Sequence, residues 1–220
     1  GTMDVTNSGV FTTADIADLT VTGQFTQDGS STSSIGANIT ATAGMDFAKG
    51  ILLTGTDLIT FATGGAAGED IVLGTDNTTD ITGSGQALTL NAGAAGDITI
   101  EGDMGAANAA LGAITITSAD QVLFDETVTA ASFTQSAGAA TGLTTFDGAL
   151  GLSGNFDFEG QALTLNALLD SDGTVVVTNA GSFTTVAAGD IIADLGFTQN
   201  GSGTSSLAGD ITTTNNNIEF

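Results

Sequence analysis

Residues 6–40 align without a gap on residues 178–212, with 17 identities in 35. TNSGVFTT at 6–13 matches TNAGSFTT at 178–185, and FTQDGSSTSS at 25–34 matches FTQNGSGTSS at 197–206. A chain that repeats itself at one long offset reads as part of a tandem array. The offset is 172 residues, so 6–177 reads as one long period and 178–220 as the start of the next. Residues 1–220 are then one continuous array, expected to be a segment of a longer tandem protein.

Shorter echoes suggest a coil length. FTQ recurs at 25–27, 133–135 and 197–199, spacings of 108 and 64. Coils of about 21–22 residues, within the solenoid range, put five and three turns in those spacings and eight in the full period. QALTLNA at 86–92 and 161–167 is offset by 75. That fits no whole number of such coils, so either the coils are unequal or the motif occupies two faces.

The local pattern is strand. ALTLN (87–91), DITIE (97–101), AITIT (113–117), QVLFDETVT (121–129) and TVVVT (174–178) alternate apolar residues with Thr, Asp or Ala, the period of a half-buried strand. Thr-x-Thr at 20–22, 40–42, 115–117 and 127–129 follows from β-propensity. Gly, Asn, Asp and Ser separate these runs and supply turns. There are 32 Gly, 12 Phe, and no Pro, Trp, Tyr or Cys. Sparse, evenly spread bulky residues suit a narrow core built layer on layer. The expected fold is all-β, a parallel β-helix of roughly ten rungs, with Phe11, Phe25, Phe47, Phe133, Phe158, Phe183, Phe197 and Phe220 stacked inside.

Charge removes whole classes of function. One Lys (Lys49), no Arg and no His stand against 25 Asp plus Glu, a net charge of −24. Nucleic acid and anionic membrane surfaces need cations that this chain lacks. No apolar run is long enough for a membrane helix. Without His, Cys or Arg there is no Ser-His or Cys-His nucleophile pair and no imidazole or thiolate metal site. The absence of Cys points to an extracellular setting.

The run ALTLNAGAAGDITIEGDMGAANAALGAITITSADQVLF (87–124), the cassette at 197–213 and the terminal NNNIEF resemble repeats of large bacterial surface proteins of the filamentous-haemagglutinin-like and autotransporter-like kind. The resemblance implies a right-handed coil, a location at the cell surface, and a role as stalk, adhesin or matrix. It brings no catalytic residues.

Only carboxylates remain for chemistry. The candidate acid pairs for polysaccharide cleavage are Asp15/Asp18, Glu69/Asp70, Asp125/Glu126 and Asp170/Asp172. Such sites also stack sugars on Trp or Tyr, which are absent here, and turn or surface acids are the plainer reading. No cofactor is required, but calcium fits oxygen-rich turns. Asp170 and Asp172, in a D-x-D-G sequence, and Asp76 and Asp80 are its candidate ligands. Three functions follow: a non-catalytic structural or adhesive repeat segment, a calcium-dependent surface lattice, or a polysaccharide-active enzyme. The expected partners are further copies stacked end to end, or host, cell-surface or matrix components.

Overall fold

A computed structural model describes residues 1–56, 58–75, 77–136, 142–214 and 216–220. Every regular element among them is a β-strand, and all pairing is parallel. Each turn of the chain lays down strands on three faces in succession. In turn 2 they are Phe25–Gln27 on the first face, Ser33–Ile35 on the second and Ile39–Ala41 on the third. Each pairs with the strand above it on the same face: Phe25 with Met45, Ser33 with Ile51 and Ile39 with Phe61. The first face stacks ten strands, from Met3–Val5 to Thr204–Leu207, so the molecule is a solenoid of ten turns. In turn 6 one strand, Val128–Gln135, bends round a corner. Its start lies under Leu150–Leu152 on the second face and its end under Phe156–Gly160 on the third.

A three-residue strand with alternating side chains offers two inward positions and one outward. Ile71–Leu73, Ile98–Ile100 and Val122–Phe124 each bury the outer two residues of the three. The inward residues form one hydrophobic core from Val21 to Phe197. The outward position is often Thr, as at Thr99, Thr145, Thr164 and Thr184 of the first face. A β-branched hydroxyl suits a pleated surface that is wet on one side. Phe25, Phe47, Phe133, Phe158, Phe183 and Phe197 are buried as expected. Phe11 is only partly buried and Phe220 is 71% exposed, because each lies in an end turn with no neighbour beyond it.

Glycine is required where corners stack closely. Gly65 and Gly93 both have positive φ, +88° and +74°. A Cβ on Gly93 would lie 2.2 Å from the Gly65 Cα, so both sterics and backbone conformation exclude a side chain there.

The turns are unequal. The step along the first face is 19 residues from Thr144 to Leu163 and 27 from Ile71 to Ile98. The 172-residue offset therefore spans seven and two-thirds turns, not eight. Phe11 lies on the second face and its counterpart Phe183 on the first, while Phe25 lies on the first and Phe197 on the third. The FTQ spacing of 108 is likewise four and two-thirds turns rather than five, and the spacing of 64 is three. Both explanations for QALTLNA hold: the coils differ in length, and Leu88 lies on the third face while Leu163 lies on the first.

Candidate functional site

Acids that stand just before a strand have a structural role at the corners. A backbone N–H entering a strand at a corner finds its acceptor in a side chain of the turn below. The acid of one turn accepts from the backbone N–H of the turn above. Asp18 Oδ1 accepts from Asn38 N at 3.2 Å, Asp70 Oδ1 from Asp97 N at 2.9 Å, Asp97 Oδ1 from Gln121 N at 3.0 Å and Asp103 Oδ1 from Thr127 N at 2.9 Å. Asn38 does the same for Thr60 N at 2.8 Å, so the bond needs the acceptor oxygen and not the charge. Because this bond is exposed, Asp97→Ala is expected to cost about 0.5–1.5 kcal/mol, the net worth of an ordinary intramolecular hydrogen bond, with Asp97→Asn losing much less. Urea unfolding of the two variants measures this; equal losses would rule out the acceptor role.

The same devices recur in both copies of the repeat. Gln27 Nε2 donates to Asn7 Oδ1, as Gln199 Nε2 does to Asn179 Oδ1. Thr6 Oγ1 donates to Asp28 Oδ1, as Thr178 Oγ1 does to Asn200 Oδ1. Thr13 Oγ1 accepts from Gly36 N, as Thr185 Oγ1 does from Ala208 N. The repeat thus preserves the bonds that join one turn to the next, on different faces of the rod.

The candidate catalytic pairs are mostly committed to this scaffold. Asp15 accepts from Thr56 N at 3.0 Å and Thr56 Oγ1 at 2.9 Å. Glu69 Oε2 accepts from Ala66 N at 2.7 Å, beside Asp70 in its own corner bond. Asp125 and Glu126 are half-buried next to the strand Val122–Phe124. No Trp or Tyr is present to stack a sugar beside any of these pairs.

The candidate calcium ligands belong to two separate stretches, and three of the four are described. Asp170 points outward from the second face in turn 8, flanked by Gly151 and Ile192, and Asp172 is exposed at the next corner. Ser171 between them turns inward and donates to Gly154 O at 2.7 Å. The D-x-D-G sequence thus runs from a regular strand into a corner. Asp80 is four turns away, with its backbone carbonyl accepting from Ile51 N at 2.9 Å. Asp76 lies outside the described residues. Among the described residues no three acidic, His or Cys side chains converge as a metal site.

Sequence reasoning missed the polar groups inside the rod. All three FTQ motifs turn Phe and Gln inward, so Gln27, Gln135 and Gln199 are buried. Thr144 is buried as well and donates to Gln135 Oε1 at 2.9 Å. Strict alternation from Phe places Gln on the inner face in spite of its polarity. The reading also missed two perturbed outward acids. Burial raises the Asp46 carboxyl above its ordinary range, the nearby Asp28 adds to this, and Asp46 Oδ1 has no hydrogen-bond partner. Burial alone raises Asp157. Asp46 lies between Thr26 and Val72, and Asp157 between Thr134 and Val176. Lys49, the one basic side chain, borders a shallow cleft of about 430 Å³ shared with Asp80 and Leu52.

No family model, curated protein or solved structure matches this chain.

Proposed function

We propose that the chain is a non-catalytic structural and adhesive repeat segment of an extracellular surface or filament-forming protein, working as a stiff spacer. One observation carries this reading: a single core runs through the stacked turns while the corner acids are used to join turn to turn. Each turn contacts only its neighbours, so length can be added without changing the cross-section. The strongly acidic surface keeps such rods apart and soluble. Location outside the cell follows from the sequence resemblance and the absence of Cys.

Small-angle X-ray scattering and electron microscopy, with calcium and with chelator, test this. Ten strands spaced about 4.8 Å apart give a rod about 45 Å long. Rods of constant cross-section in both conditions are expected. Calcium-dependent sheets would point instead to a surface lattice. Release of sugars from a glycan, abolished by Asp→Asn at one of the acid pairs, would replace the spacer with an enzyme.

A further inference from the structure

We propose that Asn200–Gly201 is a site of self-modification, where the side-chain amide of Asn200 is lost as ammonia through a cyclic imide and position 200 becomes an aspartate. This does not depend on the spacer reading.

The reaction needs the backbone nitrogen of the following residue to attack the Asn Cγ. A following glycine has no Cβ to hinder that approach, and Asn200 is the one Asn of the chain followed by Gly. Asn38 is followed by Ile39, and Asn179, which is fully buried, by Ala180.

The fold sets up the reacting atoms. Asn200 is exposed at the corner of turn 9, just past the third-face strand Gly196–Gln199. Thr178 Oγ1, one turn below, donates to Asn200 Oδ1. That bond draws electron density from Cγ and stands where negative charge develops on the oxygen as nitrogen adds, as an oxyanion donor does. The attacking nitrogen is not tied down. The N–H of Asn200 bonds to Val177 O at 3.1 Å and that of Gly203 to Asn179 O at 2.9 Å, but the Gly201 N–H has no hydrogen bond among the described residues. Asn200, Gly201 and Ser202 border an open cleft of about 330 Å³ shared with Glu159 and Thr178, so water reaches the site and ammonia leaves it.

The Gly201 N–Cγ bond forms, the Cγ–Nδ2 bond breaks, and NH3 departs with the proton from the Gly201 nitrogen. Water then opens the imide. Attack at Cγ restores the normal main chain and gives aspartate, whereas attack at the backbone carbonyl gives isoaspartate. The repeat shows that the first product fits. Position 200 aligns with Asp28, which is also followed by a glycine, Gly29. Asp28 Oδ1 accepts from Thr6 Oγ1 at 2.8 Å, as Asn200 Oδ1 does from Thr178. Isoaspartate would lengthen the main chain by one carbon where the corner lies tight on the turn below. A Cβ on Gly201 would run into Asn179 O, and one on Gly203 into Gly181 O. The fold therefore selects aspartate, and the second copy of the repeat acquires the charged corner that the first already has.

Peptide mapping by mass spectrometry, with enzymatic detection of isoaspartate, reads out the reaction in the whole chain held at mildly alkaline pH, folded and in urea. Position 200 of the folded chain is expected to convert faster than any other Asn. Thr178→Val should slow this several-fold when folded and not at all in urea, while Thr178→Ser, which keeps the hydroxyl, should retain the rate. The ratio of aspartate to isoaspartate should be higher folded than in urea, and Asn200→Asp should melt like wild type. An unmodified position 200 in folded protein whose unfolded chain reacts would overturn the proposal. So would equal rates in Thr178→Val and wild type, or the same product ratio in both states.

Discussion

Phe133→Ala is expected to destabilise the protein by about 3–5 kcal/mol, the usual cost of deleting a buried Phe ring. For a chain of this size that is a fall in Tm of roughly 6–20 °C. Phe133 is fully buried on the third face of turn 6. Its ring stacks on Phe156 in the turn above, with centroids 5.2 Å apart and planes at 15°. It also meets the edges of Phe124 and Phe146, both on the first face, at 5.8 and 5.2 Å. The ring therefore ties two faces and two turns together, and each aromatic pair adds about 0.5–1.5 kcal/mol beyond area. In a quasi-one-dimensional stack a lesion between turns weakens the coupling of the segments on either side. Unfolding of the variant should broaden or split into two steps, with hydrogen exchange accelerating first around residues 122–158. Phe220→Ala is the control. Its ring is mostly exposed and touches only Phe197, at 5.5 Å among the aromatic side chains, so the Tm should hardly change. An unchanged Tm for Phe133→Ala would mean that the aromatic stack does not hold the rod together.

The same Phe positions show how much of the fold was legible. Alternation within short runs such as DITIE and QVLF identifies strands, and the sparse bulky residues identify a narrow core; both readings match the buried sides of Ile98–Ile100 and Val122–Phe124. The number of turns per period was not legible, because the three faces are chemically interchangeable. A strand with two inward apolar residues and one outward Thr fits any of them, so Phe25 and Phe197 occupy different faces with the same sequence around them. Corner length does not disturb this pattern either. The 27-residue step at Ile71–Ile98 and the 19-residue step at Thr144–Leu163 look alike in hydrophobic rhythm. At the candidate site, an acid opening a strand, as Asp97 opens DITIE, was visible as a pattern. Its meaning was not, because each acid acts on a backbone N–H one turn away, at a separation that the unequal turns make variable. The paired carboxylates that suggested chemistry, such as Asp15/Asp18, are separated in role by those same bonds.

Removing the charge at Asp46 and Asp157 should stabilise the rod at neutral pH and flatten its response to acid. Both carboxyls are raised above the ordinary value of 3.8, by burial in each case and by the nearby Asp28 in that of Asp46. The folded chain therefore binds these two protons more tightly than the unfolded chain does. Their favourable contribution is complete below the unfolded value and is lost as pH rises through the raised folded value. At neutral pH both are ionised in an environment that resists the charge, with Asp46 Oδ1 unpaired. Lowering the pH from 7 towards the top of the carboxylate range should thus raise the Tm, against the common pattern of acid denaturation, and it also reduces the net −24. Asp46→Asn and Asp157→Asn should each have a higher Tm than wild type at pH 7, and the double variant the smallest gain on acidification. Asp28→Asn separates the two causes at Asp46. It removes the like charge while keeping an acceptor for Thr6, just as Asn200 accepts from Thr178 in the second copy of the repeat. If burial dominates, as its larger part in the shift of Asp46 indicates, Asp28→Asn will recover only a minor share of what Asp46→Asn gains, and that share will vanish in high salt. A lower Tm for Asp46→Asn at pH 7, or an unchanged pH slope in the double variant, would mean that these acids are solvated well enough to cost the fold nothing.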